Sequence, residues 1–536
     1  MESLAIISVY DKSNLETFAK GLASRGVKVL STGGTATFLK QHGLAVESIS
    51  TYTGHPEILD GRVKSLHPKI HGGILARRDQ REDLRQLEEH KILPIDFVVV
   101  NLYPFIHQVQ RIEEQGRFVH ESLVEFIDIG GPTMIRAAAK NARFVVPVCD
   151  PTDYPLILAE LDAEGEVSED LRRRLAAKVF KMMSAYDGAI SRYFSLGERL
   201  LEADGAPTPL APVETVTLER IEELRYGENP HQKAGLYRPF RFPGEAQVPT
   251  WEQLQGKEIS YNNLLDMHGA LDLFLELYDG LNGEHAAVVI KHSNPCGAAL
   301  ASTPLDAFVA ARECDPLSAF GGIVAVSGTM DGALAEAILE GFVEVVLTED
   351  LTEDGLAAFA RKKNVRVLKC DFAGYLEQKR QGNLSIRNAF GDFLIQTTDN
   401  TITIPTAEHH TAGPTPDASL LEDLVFAWKI CKHVKSNAIV IAKGKRAIGI
   451  GAGQMSRVDA AKLAVERARF HGHDPLGGAA ASDAFLPFPD TLEMLNDAGV
   501  KALVQPGGSI KDADVVQCAE QRGVTMLCTG ERHFRH

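Results

Sequence analysis

Over its first ~195 residues the chain alternates short β-rich runs with longer helix-like stretches. A parallel sheet with crossover helices satisfies that rhythm, and few other architectures do. Leu4–Val9, 27–30, Phe97–Asn101 and 144–148 read as strands, with helix-like stretches such as 14–24 and 36–42 between them. Between 202 and 216 the composition shifts to Ala, Pro, Gly and Thr, as in Gly205-Ala206-Pro207-Thr208-Pro209, which marks a linker. A second α/β region follows, with strands expected at 286–291, 322–326, 343–347, 365–368, 438–442 and 502–504. Segment 396–418 lacks a periodic apolar pattern and reads as a long loop. The expected division is therefore a first domain over 1–200, a linker over 201–216 and a region over 217–536 that forms two subdomains. No fixed-period repeat is present, which removes solenoids and propellers.

At 536 residues and 44% apolar content the chain exceeds one hydrophobic core. A net charge of −16 argues against nucleic-acid or anionic-membrane partners, so anionic substrates must be met by local cations. Seven widely spaced cysteines with no C-x-x-C pair read as reduced thiols of a cytoplasmic protein. Met1 leads into a strand-like run without a basic segment, so no signal peptide is expected, and apolar runs stay far below the ~20 residues of a spanning helix.

Two constellations carry chemistry. In the first, the run 27–30 leads into Ser31-Thr32-Gly33-Gly34-Thr35, and a helix is expected from Ala36. A Gly-Gly turn into a helix start can converge backbone N–H groups and the helix dipole on an anion. Gly61-Arg62-Val63-Lys64-Ser65-Leu66-His67-Pro68 adds two cations and a hydroxyl, and Pro68 with Gly72-Gly73 argues for a loop there. Asn101-Leu102-Tyr103-Pro104-Phe105 ends a strand, where open α/β sheets keep their ligands. Asp128-Ile129-Gly130-Gly131-Pro132 breaks at a turn before a helix expected over 133–141, which carries Arg136 and Lys140.

In the second, the strand at 286–290 delivers Lys291-His292 into a turn expected at Asn294-Pro295. A histidine near neutrality is a natural general base. The alternatives are a structural histidine bonded to a backbone carbonyl and, beside it, Cys296 as a nucleophile. A zinc-deaminase pattern is incomplete here, because both its glutamate and its second cysteine are missing, so no catalytic metal is expected. Ile448-Gly449-Ile450-Gly451-Ala452-Gly453-Gln454 does not have dinucleotide-binding spacing.

The motifs S-V-x-D-K, T-G-G-T, G-R-V-K-S-L-H-P, N-L-Y-P-F, I-D-I-G-G and R-A-A-A-K-N, in this order, resemble the cyclohydrolase half of the PurH family of bifunctional AICAR transformylase/IMP cyclohydrolases. Leu224-Arg225-Tyr226-Gly227-Glu228-Asn229-Pro230, Lys291-His292-Ser293-Asn294-Pro295, Val434-Lys435-Ser436-Asn437-Ala438, Ser482-Asp483-Ala484-Phe485 and Arg532-His533-Phe534 resemble the transformylase half. The resemblance implies an α/β protein with a methylglyoxal-synthase-like parallel-sheet domain followed by a cytidine-deaminase-like transformylase region without the metal. It further implies formyl transfer from 10-formyltetrahydrofolate to AICAR, closure of formyl-AICAR to IMP, and a homodimer with transformylase sites at its interface.

By the same resemblance Lys12, Thr32, Gly33, Gly34 and Thr35 hold the nucleotide phosphate, with Arg62, Ser65, Asn101 and Gly130 beside them. Lys64, Tyr103, Asp128 and Lys140 match the ring-closure positions, with Asp128 and Tyr103 as the proton relay and the two lysines as electrostatic support. Tyr10 stands where many relatives have serine and is left out of the phosphate group. In the second half His292 is the base, Lys291 supports it, and Asn437 donates to the formyl oxygen. Arg225, Tyr226, Arg457 and Arg532 bind the ribonucleotide, while Asn263, Phe320, Gly321, Phe485 and Asp490 frame nucleotide and folate. Around Glu344 many relatives read I-I-A-P, where this chain has Val345-Val346-Leu347-Thr348, which puts the folate contacts of that stretch in question.

Overall fold

The computed structural model describes residues 3–102, 105, 124–199, 210–240, 249–382 and 384–536. The chain forms two compact units, Met1–Ile221 with Tyr237–Ala246, and Glu222–Leu236 with Gln247–His536.

The first unit is built on a five-stranded, all-parallel sheet of β1 (Leu4–Val9), β2 (Lys28–Ser31), β3 (Val46–Ser48), β4 (Phe97–Asn101) and β5 (Val146–Val148), in the order β3-β2-β1-β4-β5. Both faces are covered: Leu4 and Ile6 enter one apolar cluster with Val98 and Ile135, while Ala5, Ile7 and Val9 enter another with Phe18 and Leu39. That is why these strands read as nearly unbroken apolar runs. The order of strands reverses between β1 and β4, so their carboxyl ends open a crevice at the topological switch point.

Three local expectations are corrected here. The helix after β2 begins at Gly33 rather than Ala36 and runs over Gly33–Gln41. The helix after Asp128 begins at Gly130 rather than Thr133 and runs over Gly130–Lys140. Pro68 with Gly72-Gly73 forms a helix, Pro68–Leu75, not a loop. Pro68 sits in its first turn, where a missing N–H costs nothing, and the His67 ring caps it by accepting from the Lys69 N–H at 3.1 Å. Gly73 is demanded by packing, since a Cβ there would stand 2.5 Å from the Leu93 carbonyl oxygen.

After a ribbon of β6 (Leu218–Leu224) and β7 (Ala234–Pro239), the second unit holds two six-stranded sheets. One joins β8 (Trp251–Gln255), β9 (His285–Lys291), β10 (Asn294–Ala301), β11 (Gly322–Met330), β12 (Val343–Leu351) and β13 (Arg366–Cys370), in the order β10-β9-β11-β12-β13-β8. A separate hairpin pairs β14 (Leu384–Ala389) with β15 (Asp392–Thr397). The second six-stranded sheet joins β16 (His410–Ala412), β17 (Ile439–Ala442), β18 (Ala447–Gly451), β19 (Ala479–Ser482), β20 (Ala502–Gln505) and β21 (Thr525–Cys528), in the order β16-β21-β20-β19-β17-β18. Both sheets mix parallel and antiparallel pairs. One core lies between them: Val288 and Ile290 of β9 pack into the same cluster as Val440 and Ala442 of β17, filled by Phe274 and Trp428 from the helices Tyr261–Tyr278 and Ala418–Cys431.

Segment 396–418 is not wholly a loop. It contains a short 3-10 turn, Ala407–His409, and the edge strand β16, too brief to leave a periodic signal in the sequence. Among the described residues no helix is long and apolar enough to cross a membrane.

Candidate active sites

In the first unit a cavity of about 700 Å³ opens at the carboxyl ends of β1, β2 and β4. Thr32, Arg62, Lys64, Ser65, Asn101, Asp128 and Gly130 line it, together with Tyr10, which does not belong to the expected phosphate group. The helix Gly33–Gln41 starts at its edge. The N–H groups of Gly33, Gly34 and Thr35 belong to that helix's first turn and so have no partner one turn back. Nothing stands within 4 Å of a Cβ built on Gly34, and one built on Gly33 would meet only Lys64 Nζ, at 4.0 Å. An ammonium therefore stands beside an open helix N-terminus, an arrangement that favours a phosphate.

Other predicted groups serve the frame. The Thr35 hydroxyl donates to the Val9 carbonyl at 3.0 Å and accepts from the Val9 N–H at 3.1 Å, so only its main chain is left for an anion. The Asn101 side chain accepts from the N–H groups of Tyr10 and Asp11 at 2.6 and 3.0 Å and donates to the Asp11 carbonyl, which fixes the turn after β1. Lys12 reaches the Tyr10 carbonyl at 3.3 Å. Arg62 is exposed and paired with Glu125.

Asp128 is half-buried in the cavity. Burial pushes its carboxyl above the ordinary value, against the N–H groups of Gly131 and Gly130 and the charge of Lys64. The Gly131 N–H donates to Asp128 Oδ1 at 3.0 Å, and the Asp128 N–H donates to the Tyr186 hydroxyl at 2.8 Å. A Cβ on Gly130 would stand 2.4 Å from Ser65 Oγ, and one on Gly131 would stand 2.3 Å from Asp128 Oδ2. The Gly-Gly pair thus lets the backbone approach the acid and hydroxyl closely. Lys64 Nζ lies 3.3 Å from Glu57 Oε1. Lys140 ends the helix that Gly130 begins, about 15 Å along its axis, and is exposed, so within one chain it stands apart from Asp128. Tyr103 lies outside the described residues.

In the second unit Lys291 and His292 share a cavity of about 460 Å³ with Asn294, Asp315 and Arg467. The expected Asn294-Pro295 turn is instead the start of β10; the reversal is made by His292 and Ser293, at φ 53° and 59°. Such two-residue hairpin turns favour Asn-Gly, because both central residues need positive φ. Asp266, which the sequence did not single out, holds this turn: its carboxylate accepts from the His292 N–H at 3.1 Å and the Ser293 N–H at 2.7 Å. The His292 ring is thereby left exposed at a fixed hairpin tip. Lys291 Nζ donates to the Phe320 carbonyl at 2.5 Å. Burial pushes the Cys296 thiol up to about 12, which removes it as a nucleophile near neutrality.

The turn predicts a stability effect. Ser293→Gly should relieve about 1–2 kcal/mol of left-handed strain and lose about 0.5–1 kcal/mol to glycine's freedom in the unfolded chain. The net should be a gain of up to about 1.5 kcal/mol, read in the chemical denaturation midpoint. A lower midpoint would show that the left-handed strain at Ser293 is smaller than the cost of glycine's freedom.

Asn437 accepts from Arg457 Nη2 at 2.8 Å and donates to the Gln454 carbonyl at 2.9 Å. Arg457 is buried and paired with buried Asp483, so it fixes Asn437 rather than facing solvent. Lys435 N–H donates to Asn294 Oδ1 at 3.0 Å, which ties the Asn437 loop to the strand after His292. Asn263 belongs to a capping box with Ser260 at the start of the helix Tyr261–Tyr278. Glu344 accepts from buried Arg366 at 2.9 Å.

Gly321, at φ 75°, donates its N–H to the Phe342 carbonyl, beside the Phe320 and Phe342 rings, which meet at a tilt of 48° with centroids 5.3 Å apart. Arg225 lies over the Tyr226 ring and Arg532 over the Phe534 ring. Arg225, Phe320, Phe485, Asp490 and Arg532 are exposed, and none of them lines the cavity that holds His292. Among the described residues no cluster of three or more His, Cys, Asp or Glu side chains has the arrangement of a metal site.

Comparison with known proteins gives two family matches. Residues 14–133 match the model of the MGS-like domain, and residues 138–467 match that of the AICARFT/IMPCHase bienzyme. The bifunctional purine biosynthesis protein PurH of Bacillus cereus (strain B4264) is 45% identical over 542 residues, with 100% of each chain covered. PurH of Bacillus anthracis (strain A0248) is similar to the same extent. A solved structure described as the crystal structure of ForH is 38% identical, covers 36% of this chain and 98% of its own, and aligns with a TM-score of 0.31.

Proposed function

Because this chain belongs to the PurH family of bifunctional AICAR transformylase/IMP cyclohydrolases, we propose that its two activities are divided between the two cavities described above. The chain transfers a formyl group to AICAR and closes the formylated product to IMP. The observation that carries the division is that each compact unit holds its own lysine beside its own base, Lys64 with Asp128 and Lys291 with His292.

Ring closure joins the carboxamide nitrogen to the formamide carbon, and the formyl oxygen then leaves as water. In the first cavity the helix N-terminus at Gly33-Gly34-Thr35 and Lys12 hold the phosphate. Asp128 takes the N–H proton, a task its raised pKa suits. Lys64 stabilises the negative charge that develops on the formyl oxygen. Tyr103 completes the relay in this reading, and Lys140 is too distant to share it within one chain.

Formyl transfer joins the 5-amino nitrogen of AICAR to the formyl carbon and breaks that carbon's bond to the donor nitrogen, which leaves with a proton. The family uses a folate-derived donor, and 10-formyltetrahydrofolate is the form we assign. His292 removes the amine proton, and Lys291 keeps positive charge beside it. The Asn437 amide has a second N–H to give to the formyl oxygen. The exposed Phe320 and Phe485 offer flat apolar faces suited to a pterin. Arg225, Tyr226 and Arg532, exposed or half-exposed in one chain, would complete this site with a second copy, in a cytoplasmic homodimer.

Lys64→Ala tests the assignment. Loss of one such donor typically costs on the order of 10²–10³ in rate, so turnover of supplied formyl-AICAR should fall by about that factor. Its place beside Gly33 also allows a purely phosphate-binding role. A raised Michaelis constant with unchanged turnover would establish that role and remove Lys64 from the chemistry.

A further inference from the structure

The last residues of the chain are built into the loop that presents Asn437. The Ser436 N–H donates to the Arg535 carbonyl at 2.9 Å, and the Arg535 N–H donates back to Ser436 Oγ at 3.1 Å. Ser436 Oγ in turn donates to Asp483, the partner of Arg457, and Arg457 holds the Asn437 side chain. The Arg535 side chain reaches into a charged cluster: Nη1 donates to Asp272 Oδ2 at 2.7 Å and lies 3.1 Å from His433 Nδ1. Buried His433 bridges Asp272 and Glu276 at 3.2 and 3.3 Å, and Lys379 and Lys432 complete the charge balance around them.

Asp272 and Glu276 stand on the helix Tyr261–Tyr278, which also carries Asp266, the clamp of the His292 turn. One helix therefore ties the general base at one point and the C-terminal arginine at another.

We infer that Arg535 is a positioning residue for formyl transfer: by fastening the C-terminal segment to Asp272 it fixes the Ser436-Asn437 loop in register with His292. It rests on the assignment of His292 and Asn437 to that reaction. Arg535 touches no reacting atom in this account. Its guanidinium supplies the tie to the helix, and its main chain supplies the tie to Ser436. A displacement of about 1 Å in a group that orients a reacting atom can cost on the order of 100-fold in rate. The loss should therefore fall on turnover rather than on substrate affinity.

The experiment compares Arg535→Ala and Arg535→Lys in the full-length protein with His292→Ala and Asn437→Ala. Arg535→Ala should lower kcat for formyl transfer on the order of 10- to 100-fold, with KM for AICAR within about twofold and cyclisation of supplied formyl-AICAR unchanged. Arg535→Lys keeps a cation for Asp272 and should restore most of the rate. In an Asn437→Ala background the alanine at 535 should add little further loss, because both changes act through one group. Unchanged kcat in Arg535→Ala, a rise in KM alone, or no recovery with lysine in a variant that still cyclises normally would each overturn the inference. If instead His292→Ala and Asn437→Ala retain full formyl transfer, the site assignment itself fails, whatever Arg535 does.

Discussion

Replacing His292 with alanine should reduce formyl transfer by roughly 10²–10⁴, the usual contribution of a general base, and leave cyclisation of formyl-AICAR close to the unaltered rate. The amine of AICAR is conjugated with the imidazole ring and hydrogen-bonded to the neighbouring carboxamide, so attack depends on removing its proton as the new bond forms. His292 sits at the tip of a tight turn whose two N–H groups are held by Asp266, and Lys291 ends the strand beside it with its Nζ on the Phe320 carbonyl. The main-chain clamp does not involve the imidazole, so alanine at 292 should leave Asp266 engaged. Unchanged circular dichroism and unchanged cyclisation would confirm that the fold persists. Equal loss of both activities in a folded variant would show that the sites are coupled, and unchanged transfer would return His292 to a structural role.

Asp128→Asn should reduce cyclisation by a similar factor, because an amide keeps the acceptor for the Gly131 N–H but has no basicity near neutrality. The pH dependence carries a sign. Burial raises the Asp128 pKa, so the unaltered enzyme should gain cyclisation activity as pH rises through an ionisation above the ordinary carboxylate range. That acid limb should vanish in the asparagine variant. Linkage runs the other way for stability. A carboxyl with a raised folded-state pKa contributes stability below its unfolded pKa and loses it as pH rises through the folded one. At neutral pH the asparagine variant should therefore be no less stable than the parent, and a drop in its denaturation midpoint would show that Asp128 is not paying a burial penalty. Full activity in a folded Asp128→Asn would remove it as the base.

The strands were legible wherever both faces of a sheet are buried, since Ile6, Val98, Val288 and Val440 stand in runs that have no solvent side. Helix starts were less so. Gly33, Gly130 and Gly73 weaken a helical pattern, yet each has a local reason: a φ of +48° at Gly33, and the close approach of Ser65 to Gly130 and of the Leu93 carbonyl to Gly73. The sequence points to a reversal at Asn294-Pro295 rather than at His292-Ser293, because Asn-Pro is a familiar turn pair whereas His-Ser lacks the Asn-Gly signature of a two-residue hairpin turn. The candidate chemical side chains stand in recognisable motifs. Their supports do not, because Asp266, Asp272 and Arg535 act across 26 to 263 residues of sequence, where no local spacing records a contact.

The left-handed hairpin tip also bears on how such a protein would answer selection. A turn whose best occupants are Asn and Gly carries His and Ser instead, so the chain retains unclaimed thermal resistance at the position where it holds its proposed base. A library screened only for survival on heating should drift toward glycine at 293 and asparagine at 292. The first change could be accepted quietly, whereas the second would exchange catalysis for endurance. Heat tolerance gained at this tip is therefore a poor guide to an improved enzyme, and the two properties need to be screened together.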